Sequence, residues 1–239
     1  SLTNNLFGLE NLTLIPGTVG AAPVQNIGAY GKELSSVLVS LEAINLLTNE
    51  IVYFDNKDCF FSYRDSLFKK NSNLLISSIR LKLSKQPKSN VNYKSLINYL
   101  LKDDIDPKLA TPYQVCRAVT SIRSKILPDY KKEPNVGSFY KNLLLNEKEF
   151  TALRKEIPDV PFFKDLNKPI YKVSTAFILE KFGWKGFKEG KVGVSDKHSL
   201  VLKVEKGADS KELMDLASNI IEDIYNKIQI RLEIEPTIL

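Results

Sequence analysis

Apolar and polar positions alternate along this chain in two distinct rhythms, and one segment follows neither. The clearest helical rhythm runs from Ser210 to Lys227, where Leu213, Leu216, Ala217, Ile220, Ile221, Ile224 and Ile228 fall on one face. Asp209 with Glu212 supplies a cap at its start, and so wide an apolar stripe predicts packing on a sheet. Thr111 as N-cap, Pro112 in the first turn and Gln114 closing a capping box predict a helix to about Lys125, because Pro128 follows. Glu147 to Glu156, ending before Pro158, and Ser174 to Phe182, stopped by Gly183, are two more predicted helices. Strand rhythm appears in Leu74 to Leu83, with Ile79, Leu81 and Leu83 opposite Arg80 and Lys82. Leu34 to Leu46, Ile51 to Phe54 and Leu200 to Val204 are further predicted strands. From Ile228 to Leu239 the alternation is strict: Ile228, Ile230, Leu232 and Ile234 on one face, Gln229, Arg231, Glu233 and Glu235 on the other, which predicts a terminal strand. Mixed strands and helices predict an α+β protein in two parts, joined through Leu127-Pro128-Asp129 and the lysine-rich stretch from Tyr130 to Glu133.

The segment without rhythm is Gly8 to Gly31, which crowds five glycines, two prolines and small alanines together. That composition suits neither a helix interior nor a strand. It reads as backbone shaped to lie against a ligand, with Gly17 and Gly20 able to take positive φ and successive N–H groups forming an anion-sized nest. A plain glycine-rich connector is the alternative.

Composition narrows the field. The 239 residues suffice for one large or two modest domains, and 43% hydrophobic with 26% charged residues is globular usage. No apolar run approaches the length of a membrane span and no signal peptide opens the chain. Cys59 and Cys116 stand far apart without a Cys-x-x-Cys pattern, which argues for a reducing compartment and against both a disulfide framework and a zinc site. The one histidine, His198, makes a Ser–His–Asp triad improbable and reads as a surface or ligand-rim residue. The net charge of +6 is spread, densest at Lys69-Lys70 and Lys131-Lys132, with no aromatic interleaving of the kind a single-strand binder shows. Nucleic acid is therefore not an expected partner, whereas a multiply anionic ligand such as a nucleotide fits the excess.

Three constellations carry candidate chemistry. Arg64, in Tyr63-Arg64-Asp65-Ser66 beside Phe60 and Phe61, is expected to be partly buried, and needs either Asp65 or an anionic ligand as partner. Gly137-Ser138-Phe139-Tyr140-Lys141-Asn142 presents a serine after a glycine, by itself no more than a turn. Glu233 and Glu235 read by default as a solvated strand face.

Taken together, Gly8–Gly31, Tyr63–Ser66, the run Asn135-Val136-Gly137-Ser138-Phe139-Tyr140-Lys141-Asn142 and Leu232-Glu233-Ile234-Glu235 resemble the UDP-N-acetylenolpyruvoylglucosamine reductase (MurB) family, in that family's order and with similar spacing. The segment holding Tyr93 resembles its longer, type I form. The resemblance implies a partial FAD-binding domain of the vanillyl-alcohol-oxidase type over residues 1–127, an α+β substrate-binding domain over 128–228, and a terminal strand, 229–239, carrying a catalytic glutamate. It implies a cytoplasmic flavoprotein of peptidoglycan precursor synthesis that reduces UDP-N-acetylglucosamine enolpyruvate to UDP-N-acetylmuramate, with FAD taking hydride from NADPH. On the matching positions, Ser138 would be the proton donor and Arg64 and Glu235 would stabilise the enolate-like intermediate. Glu235 would act as a hydrogen-bond donor only if protonated, so its pKa is expected to be raised. Tyr30, Tyr93 and Asn142 match substrate contacts, and Gly17, Gly20, Ala21, Ala22, Ile27 and Gly28 match flavin-contacting backbone. The chain departs from the family at Leu143, where proline is usual, and at Ile126, where a lysine for the substrate diphosphate is usual; Lys125 lies one residue early.

The family's Gly-x-Gly-Ser-Asn loop for the FAD diphosphate has no counterpart among these 239 residues. The expectation is a fragment lacking the N-terminal flavin subdomain. Losing one anchor of FAD would cost on the order of 5 kcal/mol of binding, leaving the chain colourless and inactive by itself. An uncovered strand edge would leave it mobile at the N-terminus or paired as a dimer through that surface. A UDP-sugar-binding module without redox activity is the alternative; an alcohol-oxidising flavoenzyme would need another active-site base or a covalent flavin link.

Overall fold

The structure is a computed structural model that describes residues 1–165 and 168–238. It divides into two compact units, Ser1–Arg123 and Ser124–Leu239.

The first unit opens with turns that reach the short hairpin β1 (Gly28–Ala29) and β2 (Lys32–Glu33). An antiparallel sheet of β3 (Leu38–Asn45), β4 (Ile51–Asp55) and β5 (Leu74–Leu81) follows, in the order β4-β3-β5, with the one-turn helix α1 (Leu67–Lys70) before β5. The predicted strand over Leu34–Leu46 is shorter than its apolar run because Leu34–Ser36 form a 3-10 turn. That turn is held by Asn26 and Asn56: the Ser35 N–H donates to Asn26 Oδ1 (2.9 Å), and the Asn56 amide donates to the Ser35 and Leu38 carbonyls (2.8 Å each). A bulge at Val39 lets Leu38 and Leu41 both point inward despite their odd spacing. They pack with Leu34, Ala43, Cys59 and Phe68 into one core. Exposed apolar side chains collect at one end of this sheet, where Ile44 pairs with Ile51 and Leu75 and continues to Leu46 and Leu47. A second core joins Tyr30 to α2 (Lys94–Lys102), which the sequence reading does not foresee, and to α3 (Pro112–Ile126), through Leu96, Leu100, Val115, Ala118 and Val119. The α3 cap forms as expected: Thr111 N–H donates to Gln114 Oε1 (2.8 Å) and Gln114 N–H to Thr111 Oγ1 (3.3 Å).

In the second unit, β6 (Asn135–Ser138) and β7 (Leu143–Leu145) lead into α4 (Glu147–Glu156), then β8 (Phe162–Lys164), β9 (Tyr171–Val173) and α5 (Thr175–Lys181). β10 (Lys188–Glu189), β11 (Val192–Val194), β12 (Val201–Val204) and α6 (Ser210–Ile228) complete it. The sheets are β10-β11-β12-β6 and β7-β9-β8, every pairing antiparallel. α6 lies against the first of them, burying Leu216, Ala217, Ile220, Ile224 and Ile228 in the same core as Val192, Val194 and Leu202. Asp209 and Glu212 cap it reciprocally, at 2.7 and 3.0 Å.

Among the described residues, the terminal strand expected over 228–239 does not form. Helix α6 runs through Ile228, and Gln229 then turns the chain in a left-handed conformation (φ 55). Beyond it, a single bridge joins Ile234 to Tyr140. Pro236 has no N–H with which to extend a ladder on one side, and on the other the chain leaves at Asn142 to enter β7. The alternation still reports burial: Ile228 and Leu232 are buried and Gln229, Arg231 and Glu233 exposed.

Candidate active site

Ser138 is placed by a bulge. Opposite it on β12, Val201 pairs with Ser138 and Lys203 with Asn135, so β6 has one residue too many across that step. Gly137 absorbs the excess at φ +74, a conformation natural to glycine, while its N–H donates to Asn135 Oδ1 (2.9 Å). Bulges of this kind re-aim the following side chain, here the half-buried Ser138. Glu235 arrives from the C-terminal segment: its N–H donates to the Phe139 carbonyl (2.8 Å), and the Lys141 N–H donates to the Glu233 carbonyl (2.9 Å). The structure thus brings Ser138 and Glu235 together on neighbouring stretches of backbone. Lys141 Nζ sits 3.0 Å from the Glu233 carboxylate, so Glu233 is an ion-pair partner at the rim. Asn142 follows, its Oδ1 accepting from the Thr175 N–H (3.2 Å) at the start of α5. Beneath them Phe139 and Tyr140 are fully buried, and the Tyr140 hydroxyl donates to the Ala217 carbonyl in α6 (3.0 Å); burial drives that phenol's pKa far up. His198 lies on the turn before β12, where its Nδ1 accepts from the Leu200 N–H (3.2 Å).

The first unit holds the other predicted residues. Arg64 itself has positive φ (54), and its Nη2 donates to the Gly28 carbonyl (2.5 Å). Gly28 has no room for more: a Cβ there would stand 2.9 Å from Arg64 Nη1 and from Glu33 Cγ. Asp65 pairs with Lys70 (2.6 Å) and accepts from the Ser66 N–H (2.9 Å). Tyr30 and Tyr93 meet edge to face at 5.4 Å, Tyr30 buried and Tyr93 half exposed. Burial raises the Tyr30 pKa, with Arg123 pulling it back and Tyr93 adding to the rise. Lys125 is exposed on the last turn of α3.

The glycine nest is built differently from expectation. Gly17 takes positive φ (106) with open space where a Cβ would stand. Gly20 does not take positive φ; there glycine allows close approach to β5, a Cβ lying 3.1 Å from the Ile76 carbonyl. The N–H groups of Ala21, Ala22 and Ile27 close turns within the segment, onto Thr18, Val19 and Ala22. Among the described residues no group of three or more His, Cys, Asp or Glu is placed to hold a metal ion.

Residues 128–239 match the C-terminal domain of UDP-N-acetylenolpyruvoylglucosamine reductase. The enzyme of that name from Pseudomonas syringae pv. syringae is 40% identical over 234 residues, 98% of this chain and 68% of that protein. The chain belongs to the UDP-N-acetylenolpyruvoylglucosamine reductase family. The Pseudomonas aeruginosa member is 39% identical over 239 residues and the Burkholderia mallei member 37% over 241, with 70% and 69% of their lengths covered. The crystal structure of the Thermus caldophilus reductase (MurB) shares the fold, with a TM-score of 0.64 at 20% identity, over 98% of this chain and 65% of that one. The mixed helix-and-sheet architecture is therefore that of the reductase family. Sequence reading overlooked one half-buried cation, Arg123. Its signal was available: it falls four residues after Val119 and eight after Val115, on the apolar stripe of α3.

Proposed function

We propose that this chain carries the catalytic groups of a reductase that converts UDP-N-acetylglucosamine enolpyruvate to UDP-N-acetylmuramate in peptidoglycan precursor synthesis. The observation that carries the reading is the junction of Ser138 with Glu235, built by a glycine-dependent bulge on one side and the Tyr140–Ile234 bridge on the other. Family membership gives the reaction class, an oxidoreductase of cell-wall synthesis.

FAD, with NADPH as its reductant, would supply when bound the hydride for the methylene carbon of the enol ether. Gly17, Gly20, Ala21, Ala22, Ile27 and Gly28 are the residues proposed to hold it. In favour of that fit, Gly17–Val19 and Ala21 are exposed, and Gly17 leaves its face of the backbone open. As hydride adds, negative charge develops on the adjacent carbon and its carboxylate. The Arg64 fork is suited to that carboxylate, and its bond to Gly28 fixes its direction. Ser138 delivers the proton to the carbon, completing the addition of hydride and proton across the double bond. Glu235, held one residue from Ser138 across the bridge, donates a hydrogen bond to the developing enolate when protonated. Tyr30, Tyr93, Asn142 and Lys125 are proposed substrate contacts, Lys125 as the cation for the diphosphate.

The test uses the protein loaded with flavin. Ser138→Ala should leave flavin reduction by NADPH intact and slow substrate reduction by about 10²–10⁴-fold, the range of a positioned general acid, in stopped-flow measurements of the two half-reactions. Equal slowing of both would remove Ser138 from the acid role. A wild-type protein that binds the UDP-sugar and never turns over would favour a binding module instead.

A further inference from the structure

Residues 139–142 cross from β6 in one sheet to β7 in the other, where backbone groups need partners outside a ladder. On one side the C-terminal segment provides them. The Phe139 carbonyl accepts from the Glu235 N–H (2.8 Å), the Lys141 N–H donates to the Glu233 carbonyl (2.9 Å), and Lys141 Nζ pairs with the Glu233 carboxylate (3.0 Å). On the other side stands Thr175. Leu143 pairs with Val173 in the antiparallel register of β7 and β9, so one step further puts Asn142 opposite Ser174, and the next puts Lys141 opposite Thr175. Helix α5 begins there and the main-chain ladder stops. Thr175 continues it by other means: its hydroxyl donates to the Lys141 carbonyl (2.8 Å) and its N–H to Asn142 Oδ1 (3.2 Å).

That arrangement decides what Asn142 can offer. A carboxamide has an acceptor end and a donor end. With Oδ1 engaged by a backbone N–H, the half-buried Asn142 has its NH2 left for a ligand, and the atom an NH2 selects is an acceptor oxygen. Thr175 itself is fully buried and cannot touch a ligand. A hydroxyl so buried is tolerated because it is hydrogen-bonded, and its bond goes to the very peptide that carries Asn142.

We propose that Thr175 is a positioning residue for substrate binding. It holds the Lys141–Asn142 peptide with its hydroxyl and the Asn142 carboxamide oxygen with its N–H, so that Asn142 meets the ligand as a donor to a phosphoryl, carboxylate or carbonyl oxygen. The clamp is read from these side chains; that the ligand is a UDP-sugar rests on the function proposed above.

The ¹⁵N-labelled chain is titrated with UDP and with UDP-N-acetylmuramate, and Asn142→Asp identifies the Asn142 NH2 signals by removing them. The expected result is saturable movement of the Asn142 NH2 pair together with the Thr175 amide, since a bond made at one end of a carboxamide strengthens the bond at the other. Movement with UDP assigns the acceptor oxygen to the nucleotide, and movement only with UDP-N-acetylmuramate assigns it to the sugar or its lactyl carboxylate. Thr175→Val keeps the volume and the N–H and removes the hydroxyl. It should weaken binding of the effective ligand about three- to tenfold, the worth of one buried hydrogen bond, and Thr175→Ser should recover most of that loss. No recovery with serine would make the loss one of packing and overturn the inference. So would an Asn142 pair that moves while the Thr175 amide stays still, or a Thr175→Val protein with wild-type affinity, whatever its Tm; the substrate contact at Asn142 would stand. An Asn142 pair unmoved by either nucleotide overturns both.

Discussion

Gly137 holds φ at +74 one residue before Ser138, and no other atom lies within 4 Å of where its Cβ would stand. Space is therefore not the constraint; backbone strain is. Gly137→Ala should cost about 1–2 kcal/mol, the penalty of a left-handed residue with a side chain, and lower Tm by a few degrees. If the bulge aims Ser138, substrate reduction in the flavin-loaded protein should fall further than stability does, a difference read by comparing single-turnover rates with melting curves. Cys59 offers a prediction of another kind. It is buried in the sheet core, and burial, then the charges of Asp58 and Asp55, push its thiol up to about 11 from an ordinary 9.0. The folded chain then keeps a proton that the unfolded chain releases above pH 9. This contribution to stability is full below the unfolded pKa and is lost as pH rises from about 9 to 11, by roughly 3 kcal/mol at most. Urea melts across that window should show the decline in the wild type, and Cys59→Ala should flatten it.

At the scale of elements, caps and periodicity determine what forms. Asp209→Ala removes the side chain that accepts from the Glu212 N–H, and should destabilise α6 and the second unit by about 1 kcal/mol in denaturant melts. Helices α3, α4, α5 and α6 are legible because their signals are local: Thr111/Gln114, Asp209/Glu212 and Ser174 mark starts, and Pro128, Pro158 and Gly183 mark stops; α1 and α2 are not. β4 and β5 were equally plain. Where reading failed, a nonlocal partner decided. Residues 34–36 leave the strand because Asn26 and Asn56, distant in sequence, bind their backbone. The 229–238 segment has a strand's alternation but finds one bridge, since Pro236 withholds a donor. Of the candidate site, Ser138 and Glu235 were visible only through family resemblance. Their adjacency needed the bulge at Gly137, which no periodicity reports. Arg123 shares the spacing of the apolar stripe of α3, but a lone arginine there reads as an interruption of the pattern.

Considered as a whole, the chain covers 68% of the Pseudomonas syringae reductase, and its excess of six positive charges suits anionic ligands. No helix among the described residues is long and apolar enough to cross a membrane. The proposed flavin contacts lie in Gly17–Gly28. Purified chain incubated with excess FAD and then desalted tests them: a retained, perturbed flavin spectrum is expected if Gly17–Gly28 and its neighbours hold the flavin, and a colourless protein would count against that assignment. Within the second unit, the bond from Tyr140 to the Ala217 carbonyl has a consequence for how the protein breathes. It links the stretch bearing Ser138 to the middle of the longest helix, both at full burial. The amides of Phe139 and Lys141 should thus exchange with deuterium only when α6 opens, as one cooperative unit. Ser138 mounted this way keeps its place for as long as the core itself survives.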